Sequence, residues 1–257
     1  MIHGTLVDIA GVLHEGDAPV PGAPEAVARL RAAGLPVAFL TNSTRRPKRS
    51  VVARLHAMGI EAGAADVLTP ADVARDWLQR HGAAAHLLVA PELEQDFADC
   101  PAGRTKAVVV GDAGPRFTYE RLNAAFRRIE AGAPFLALAA NRAFRDSDGL
   151  LSLDAGAFVR ALEHASGRTA QVLGKPAPDF FRAGAARLGI APGAAAMIGD
   201  DAEADASGAL AAGLALGILV RTGKYRAGDE ARCDPRPSRV VADLSEAVDH
   251  VLERAGR

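Results

Sequence analysis

Short runs of aliphatic and β-branched residues alternate with longer stretches of helical periodicity along the whole chain, and this alternation limits the folds open to it. Strands that each lead into a helix pair in parallel, because a parallel neighbour needs a long crossover and the helix supplies it. Thr5–Ile9 reads as a first strand, and Pro24 and Gly34 bracket a helix over Glu25–Ala33. Val37–Leu40 is a second strand, followed by the polar turn Thr41-Asn42-Ser43-Thr44 and a helix with Pro47 near its start and Gly59 at its end. Val51, Leu55 and Met58 on that helix have the i, i+4, i+7 spacing of one buried face. The middle of the chain repeats the pattern. Leu87–Val89, Ala107–Val110 and Phe135–Ala139 read as strands, and Tyr119–Glu130 and Ala155–Ser166 as helices. After Gly167 come strands at Gln171–Leu173, Ala195–Ile198 and Gly217–Val220, with a last helix near Leu244–Glu253.

Composition narrows the classes of function. Thirty basic residues against 31 acidic ones leave a net charge of −1, so no general field draws in nucleic acid or an anionic membrane. The one dense basic run, Arg45-Arg46-Pro47-Lys48-Arg49, reads as a solvated helix start. Cys100 and Cys233 lack the spacing of a disulfide framework or a zinc site, which fits a reducing compartment. The longest apolar stretch, Ala209–Val220, has 12 residues, against the roughly 20 of a spanning helix. The N-terminal residues lack the pattern of a signal peptide, so the expectation is a soluble, cytoplasmic protein.

In open α/β sheets ligands bind outside the carboxyl ends of the strands. Asp8 stands at the end of the first strand, Thr41 and Asn42 at the end of the second, Lys175 just past Leu173, and Asp200-Asp201 after Ala195–Ile198. Taken singly, each has an ordinary reading as a helix cap, a turn residue or a solvated lysine. Together they offer an acid for nucleophilic attack, another for a cation, a hydroxyl and amide turn, and a lysine. That is a set for phosphoryl transfer.

These residues also carry a resemblance. Asp8-Ile9-Ala10-Gly11-Val12-Leu13, Leu40-Thr41-Asn42-Ser43, Gly174-Lys175-Pro176 and Ile198-Gly199-Asp200-Asp201 with Asp205 resemble, in order, the four motifs of the haloacid dehalogenase superfamily. The likeness is to its phosphatases with a cap inserted between motifs two and three, and it extends to Asp146–Leu150 and Gly217–Arg226. It implies a Rossmann-like parallel-sheet core over residues 1–70 and 169–257, with a smaller α/β cap domain over 71–168. It implies that Asp8 attacks phosphorus, and that Mg²⁺ is held by the carboxylates of Asp8 and Asp200 and the carbonyl of Ala10. Thr41, Asn42 and Lys175 would bind the phosphoryl group with Asp8, while Asp201 and Asp205 would hold metal-bound waters. The substrate would be a small phosphorylated molecule, its selection would fall to the cap with Asp146–Leu150 as candidates, and a homodimer through the caps is expected by analogy.

The chain departs from the family pattern at Ala10, where most of these phosphatases have a second aspartate that protonates the leaving group. Without it, pyrophosphate, acyl phosphates and P–N compounds are the favoured substrates, since they leave with less help. His14 and Glu15 lie near enough in sequence to supply the proton, although their ordinary reading is a solvated flap. The alternative function is a catalytically weak protein on this fold with a binding or regulatory role.

Overall fold

The structure, a computed structural model, describes residues 1–145 and 149–257. It divides into two compact units. The first comprises residues 1–41, 49–68 and 175–257, and the second residues 42–48 and 69–174.

The first unit is built on a six-stranded sheet. Its order is Arg239–Val241, Leu216–Val220, Ala195–Gly199, Gly4–Asp8, Val37–Leu40 and Val67–Leu68, and every neighbouring pair is parallel. Gly4–Asp8 lies inside the sheet, with Gly4 opposite Ala195 on one side and Asp8 opposite Leu40 on the other. All five of its residues are buried, as expected for a strand covered by helices on both faces. On one face Val7, Phe39, Ile198 and Ile218 join a core with Val27 and Leu30 of the helix Ala23–Ala32 and Val248 and Val251 of Leu244–Ala255. On the other, the helix Pro178–Arg187 approaches so closely at Gly184 that a Cβ there would lie 3.1 Å from Leu6. Between the Gly4–Asp8 strand and the first helix, His14–Glu15 and Ala18–Pro19 pair as a small antiparallel hairpin.

The second unit has its own parallel sheet, in the order Gln171–Val172, Phe135–Ala137, Lys106–Val110 and Ala84–Leu88. The helix Tyr119–Glu130 covers it, with Ala125 and Ile129 buried against Val108 and Val110. A hairpin of Ala143–Arg145 and Leu151–Leu153 leaves Leu150, Leu151 and Leu153 exposed. Of the expected specificity segment Asp146–Leu150, Asp146, Ser147 and Asp148 lie outside the described residues. The helix Pro70–Arg80 begins with a reciprocal cap, in which the Thr69 hydroxyl accepts from Asp72 N–H and the Asp72 carboxylate accepts from Thr69 N–H. No helix among the described residues is long and apolar enough to cross a membrane.

Candidate active site

The carboxyl ends of the central strands in the first unit gather charge. Asp8, Lys175, Asp200 and Asp205 are all buried there. Lys175 Nζ donates to Asp8 Oδ1 and to Asp205 Oδ1, each at 2.6 Å. Asp205 reaches this position because its short helical segment, Ala202–Ser207, starts only two residues after the Ala195–Gly199 strand. Gly199 is needed at that junction, since any Cβ would overlap the Asp205 side chain. The second oxygen of Asp205 accepts from Asp201 N–H at 3.1 Å. Both oxygens are therefore engaged by the protein, and in this geometry Asp205 positions Lys175. Asp201, half-buried, caps the same segment by accepting from the N–H groups of Glu203 and Ala204 at 3.2 and 2.9 Å.

Asp200 is held differently. Its Oδ2 accepts the backbone N–H of Lys224 at 2.7 Å, while Oδ1 is buried with no hydrogen-bond partner among the described residues. A buried acceptor left without a partner is costly, and a carboxylate more so. One oxygen from each of Asp8, Asp200 and Asp205 can be chosen so that all three lie within 4.8 Å of one another. Three carboxylates face one ammonium, and the protonation equilibria register that imbalance. Burial, then the charges of Asp8 and Asp205, push the Asp200 carboxyl up to about 8. Burial also raises Asp205, to about 6, with Lys175 pulling the other way. For Lys175, burial opposes the charge, but Asp205 and Asp8 more than offset it and hold the ammonium above the usual lysine range. The pairing with Asp8 and Asp205 thus favours the charged form of Lys175. The hard oxygen donors, the excess negative charge and the partnerless Oδ1 fit a small divalent cation.

A pH dependence follows. Between the ordinary carboxylate value of 3.8 and about 8, the metal-free fold keeps a proton on Asp200 that the unfolded chain has released. Asp200 therefore withdraws stability as pH rises through that window. A cation bound there would expel the proton. Titrating Mg²⁺ into metal-free protein near pH 7 should thus release protons, read as a dependence of calorimetric heat on the ionisation enthalpy of the buffer. Binding heat that is the same in every buffer would contradict this charge balance.

The remaining expected residues are distributed as follows. Thr41 is buried at the end of its strand, where its N–H donates to Leu68 O at 3.2 Å. Asn42 belongs to the second unit with the rest of its turn. There the Thr44 hydroxyl accepts from Asp112 N–H at 3.1 Å, and Arg45 pairs with Asp112 at 2.7 Å. Lys48, from the basic run read as solvated, is instead partly buried against Asp72 at 3.1 Å. Ala10 is exposed on the turn after the Gly4–Asp8 strand and bridges to His14. Glu15 accepts from Gly223 N–H at 2.6 Å, and the Thr222 hydroxyl donates to Gly11 O. These contacts behind Asp200 escaped the reading by strand ends. The signal for them is the pair Gly11 and Gly223, both in the left-handed region and both so close to Asp200 Oδ2 that a side chain would overlap it.

Comparison with known proteins identifies the family. Residues 5–102 match the haloacid dehalogenase-like hydrolase family, and residues 172–247 match the HAD-hydrolase-like family. Haloacid dehalogenase-like hydrolase domain-containing protein 2 of Rattus norvegicus is 40% identical over 253 residues, covering 98% of this chain and 97% of that protein. The phospholysine phosphohistidine inorganic pyrophosphate phosphatase of the same species is 38% identical over 258 residues, covering 98% and 95%. Among solved structures, a glycerol phosphate phosphatase from Mycobacterium tuberculosis in complex with magnesium is similar at a TM-score of 0.82 and 30% identity, over 95% of this chain and 76% of that one. The chain belongs to the haloacid dehalogenase-like hydrolases and, among them, to the phosphatases.

Proposed function

We propose that the protein is a Mg²⁺-dependent phosphatase of small phosphorylated compounds that works through an aspartyl-phosphate on Asp8. The observation that carries this reading is Lys175 bridging Asp8 and Asp205 beside an Asp200 whose Oδ1 has no hydrogen-bond partner among the described residues. A carboxylate of Asp8 attacks phosphorus. The bond from phosphorus to the leaving group breaks as the bond to the Asp8 oxygen forms, and water then attacks phosphorus, releasing inorganic phosphate and regenerating Asp8. Lys175 supplies a fixed positive charge where an anionic nucleophile meets an anionic substrate, and Thr41 and Asn42 bind the phosphoryl oxygens. Mg²⁺ would be held by Asp8, Asp200 and the Ala10 carbonyl, and when bound it neutralises phosphoryl charge. In this reading the first unit is the catalytic core and the second the cap.

Ala10 sets the substrate class. With no acid at that position, pyrophosphate, acyl phosphates and P–N compounds suit the site better than alkyl monoesters. The name of the similar rat protein, phospholysine phosphohistidine inorganic pyrophosphate phosphatase, points to the same chemistry. A panel of aryl phosphate, pyrophosphate, phosphoramidate and glycerol phosphate, assayed for phosphate release with and without Mg²⁺, tests the reading. Release from the first three that depends on Mg²⁺ is expected. No release from any of them would favour a binding or regulatory protein on this fold.

A further inference from the structure

The two oxygens of Asp200 have opposite surroundings, and a structure on the far side of the carboxylate accounts for the difference. Oδ2 is enclosed by backbone, with Gly11 and Gly223 against it and Lys224 N–H donating to it at 2.7 Å. Oδ1 is buried and has no partner among the described residues. The two glycines come from loops more than 200 positions apart in sequence, and two cross-ties hold them together. The Thr222 hydroxyl donates to Gly11 O, and Gly223 N–H donates to Glu15 Oε1 at 2.6 Å. Glu15 is brought there by the His14–Glu15 and Ala18–Pro19 hairpin. Arg54, from the helix Lys48–Ala57, holds the turn of that hairpin by donating to Gly16 O and, at 3.0 Å, to Asp17. A carboxylate accepting a backbone N–H makes a charge-assisted bond, stronger than a neutral one.

We infer that Glu15 is a positioning residue for the cation site. By holding Gly223, it keeps the adjoining Lys224 N–H on Oδ2 and leaves Oδ1 to meet the metal. The inference rests on the proposed cation site and gives Glu15 a role other than that of the missing proton donor. Groups that orient a metal ligand typically change metal affinity by about 10–100-fold when removed.

The test compares wild-type protein with Glu15→Ala and Glu15→Gln, using isothermal titration of Mg²⁺ alone into metal-free protein and turnover of aryl and alkyl phosphates. Glu15→Ala should weaken Mg²⁺ binding by about 10–100-fold. Glu15→Gln keeps an oxygen that accepts Gly223 N–H, so most of the affinity should return. Arg54→Ala, which releases the hairpin at its other end, should weaken binding in the same direction by a smaller factor, and it carries the test if Glu15→Ala does not fold. Wild-type Mg²⁺ affinity in Glu15→Ala would overturn the inference while sparing the cation site. So would equal loss of alkyl-phosphate turnover in the Ala and Gln variants at undiminished affinity, the signature of a proton donor. Wild-type protein that takes up no Mg²⁺ would overturn the cation site itself.

Discussion

Asp8→Asn is expected to lower turnover of an activated aryl phosphate at saturating Mg²⁺ by at least about 10³-fold, because the amide cannot attack phosphorus and no covalent intermediate forms. The substitution is nearly isosteric, and its carbonyl oxygen still accepts from Lys175, so the fold should persist. It also removes one of the charges that raise Asp200. The Asp200 carboxyl should therefore fall toward the ordinary carboxylate value in the metal-free variant, and proton release on Mg²⁺ binding near pH 7 should shrink. Loss of turnover together with reduced proton release would tie both effects to one carboxylate. A variant that keeps more than about one hundredth of the wild-type rate would mean that another group makes the attack.

Ala10→Asp should move rates in the other direction. Ala10 is exposed on the turn after the strand that ends in Asp8, so a carboxylate there displaces nothing from the core. A restored general acid should raise the rate on alkyl phosphates by about 10²–10⁴-fold and on activated aryl phosphates much less. The added charge would also tighten Mg²⁺ binding, so the comparison belongs at saturating metal, where occupancy favours all substrates alike. Before the substitution, rates should fall steeply as the leaving group becomes more basic. Rates that are flat across leaving groups, show no burst and do not respond to Ala10→Asp would show that the missing aspartate places no constraint on this enzyme.

Much of the architecture was legible because buried parallel strands leave a strong signature. Val37–Leu40 and the helices Tyr119–Glu130 and Ala155–Ser166 have the bounds their sequence patterns suggest. The first helix runs over Ala23–Ala32, starting two residues before the expected Glu25 because Pro24 is accommodated in the first turn, where no intrahelical N–H is required. The expected strand Leu87–Val89 is Ala84–Leu88 instead, since its start is built from alanines and His86, which give no periodic signal. Arg239–Val241 and Val67–Leu68, at the two edges of the first sheet, are too short to stand out and are fixed by their neighbours.

The candidate site was legible to the same depth and for a related reason. Asp8 and Asp200 follow apolar runs, so strand ends reveal them. Nothing in their spacing reveals that Asp205 would hold Lys175, because that contact depends on a helical turn folding back over Gly199. Nor does the position of Glu15, on a short polar loop, reveal Gly223 as its partner, since contacts over such sequence distances arise only once the strands are paired.

The position of the Asp8 strand inside the sheet bears on how the molecule is made. On one side Gly4–Asp8 pairs with Val37–Leu40, which emerges from the ribosome soon after it, and on the other with Ala195–Gly199. Translation at about 5–20 residues per second separates Gly4 from Ala195 by roughly 10–40 s. Throughout that interval the nascent chain carries a strand that is buried along its whole length in the finished fold, with one hydrogen-bonding edge unpaired, the kind of edge that recruits other chains. Lys175 is made late in that interval and Asp200 just after it, so a shorter ribosome-bound fragment has the proposed nucleophile Asp8 but neither the lysine that pairs with it nor the acid proposed to share its metal. Chains truncated before Ala195 should therefore be both prone to associate through this open edge and without phosphatase activity.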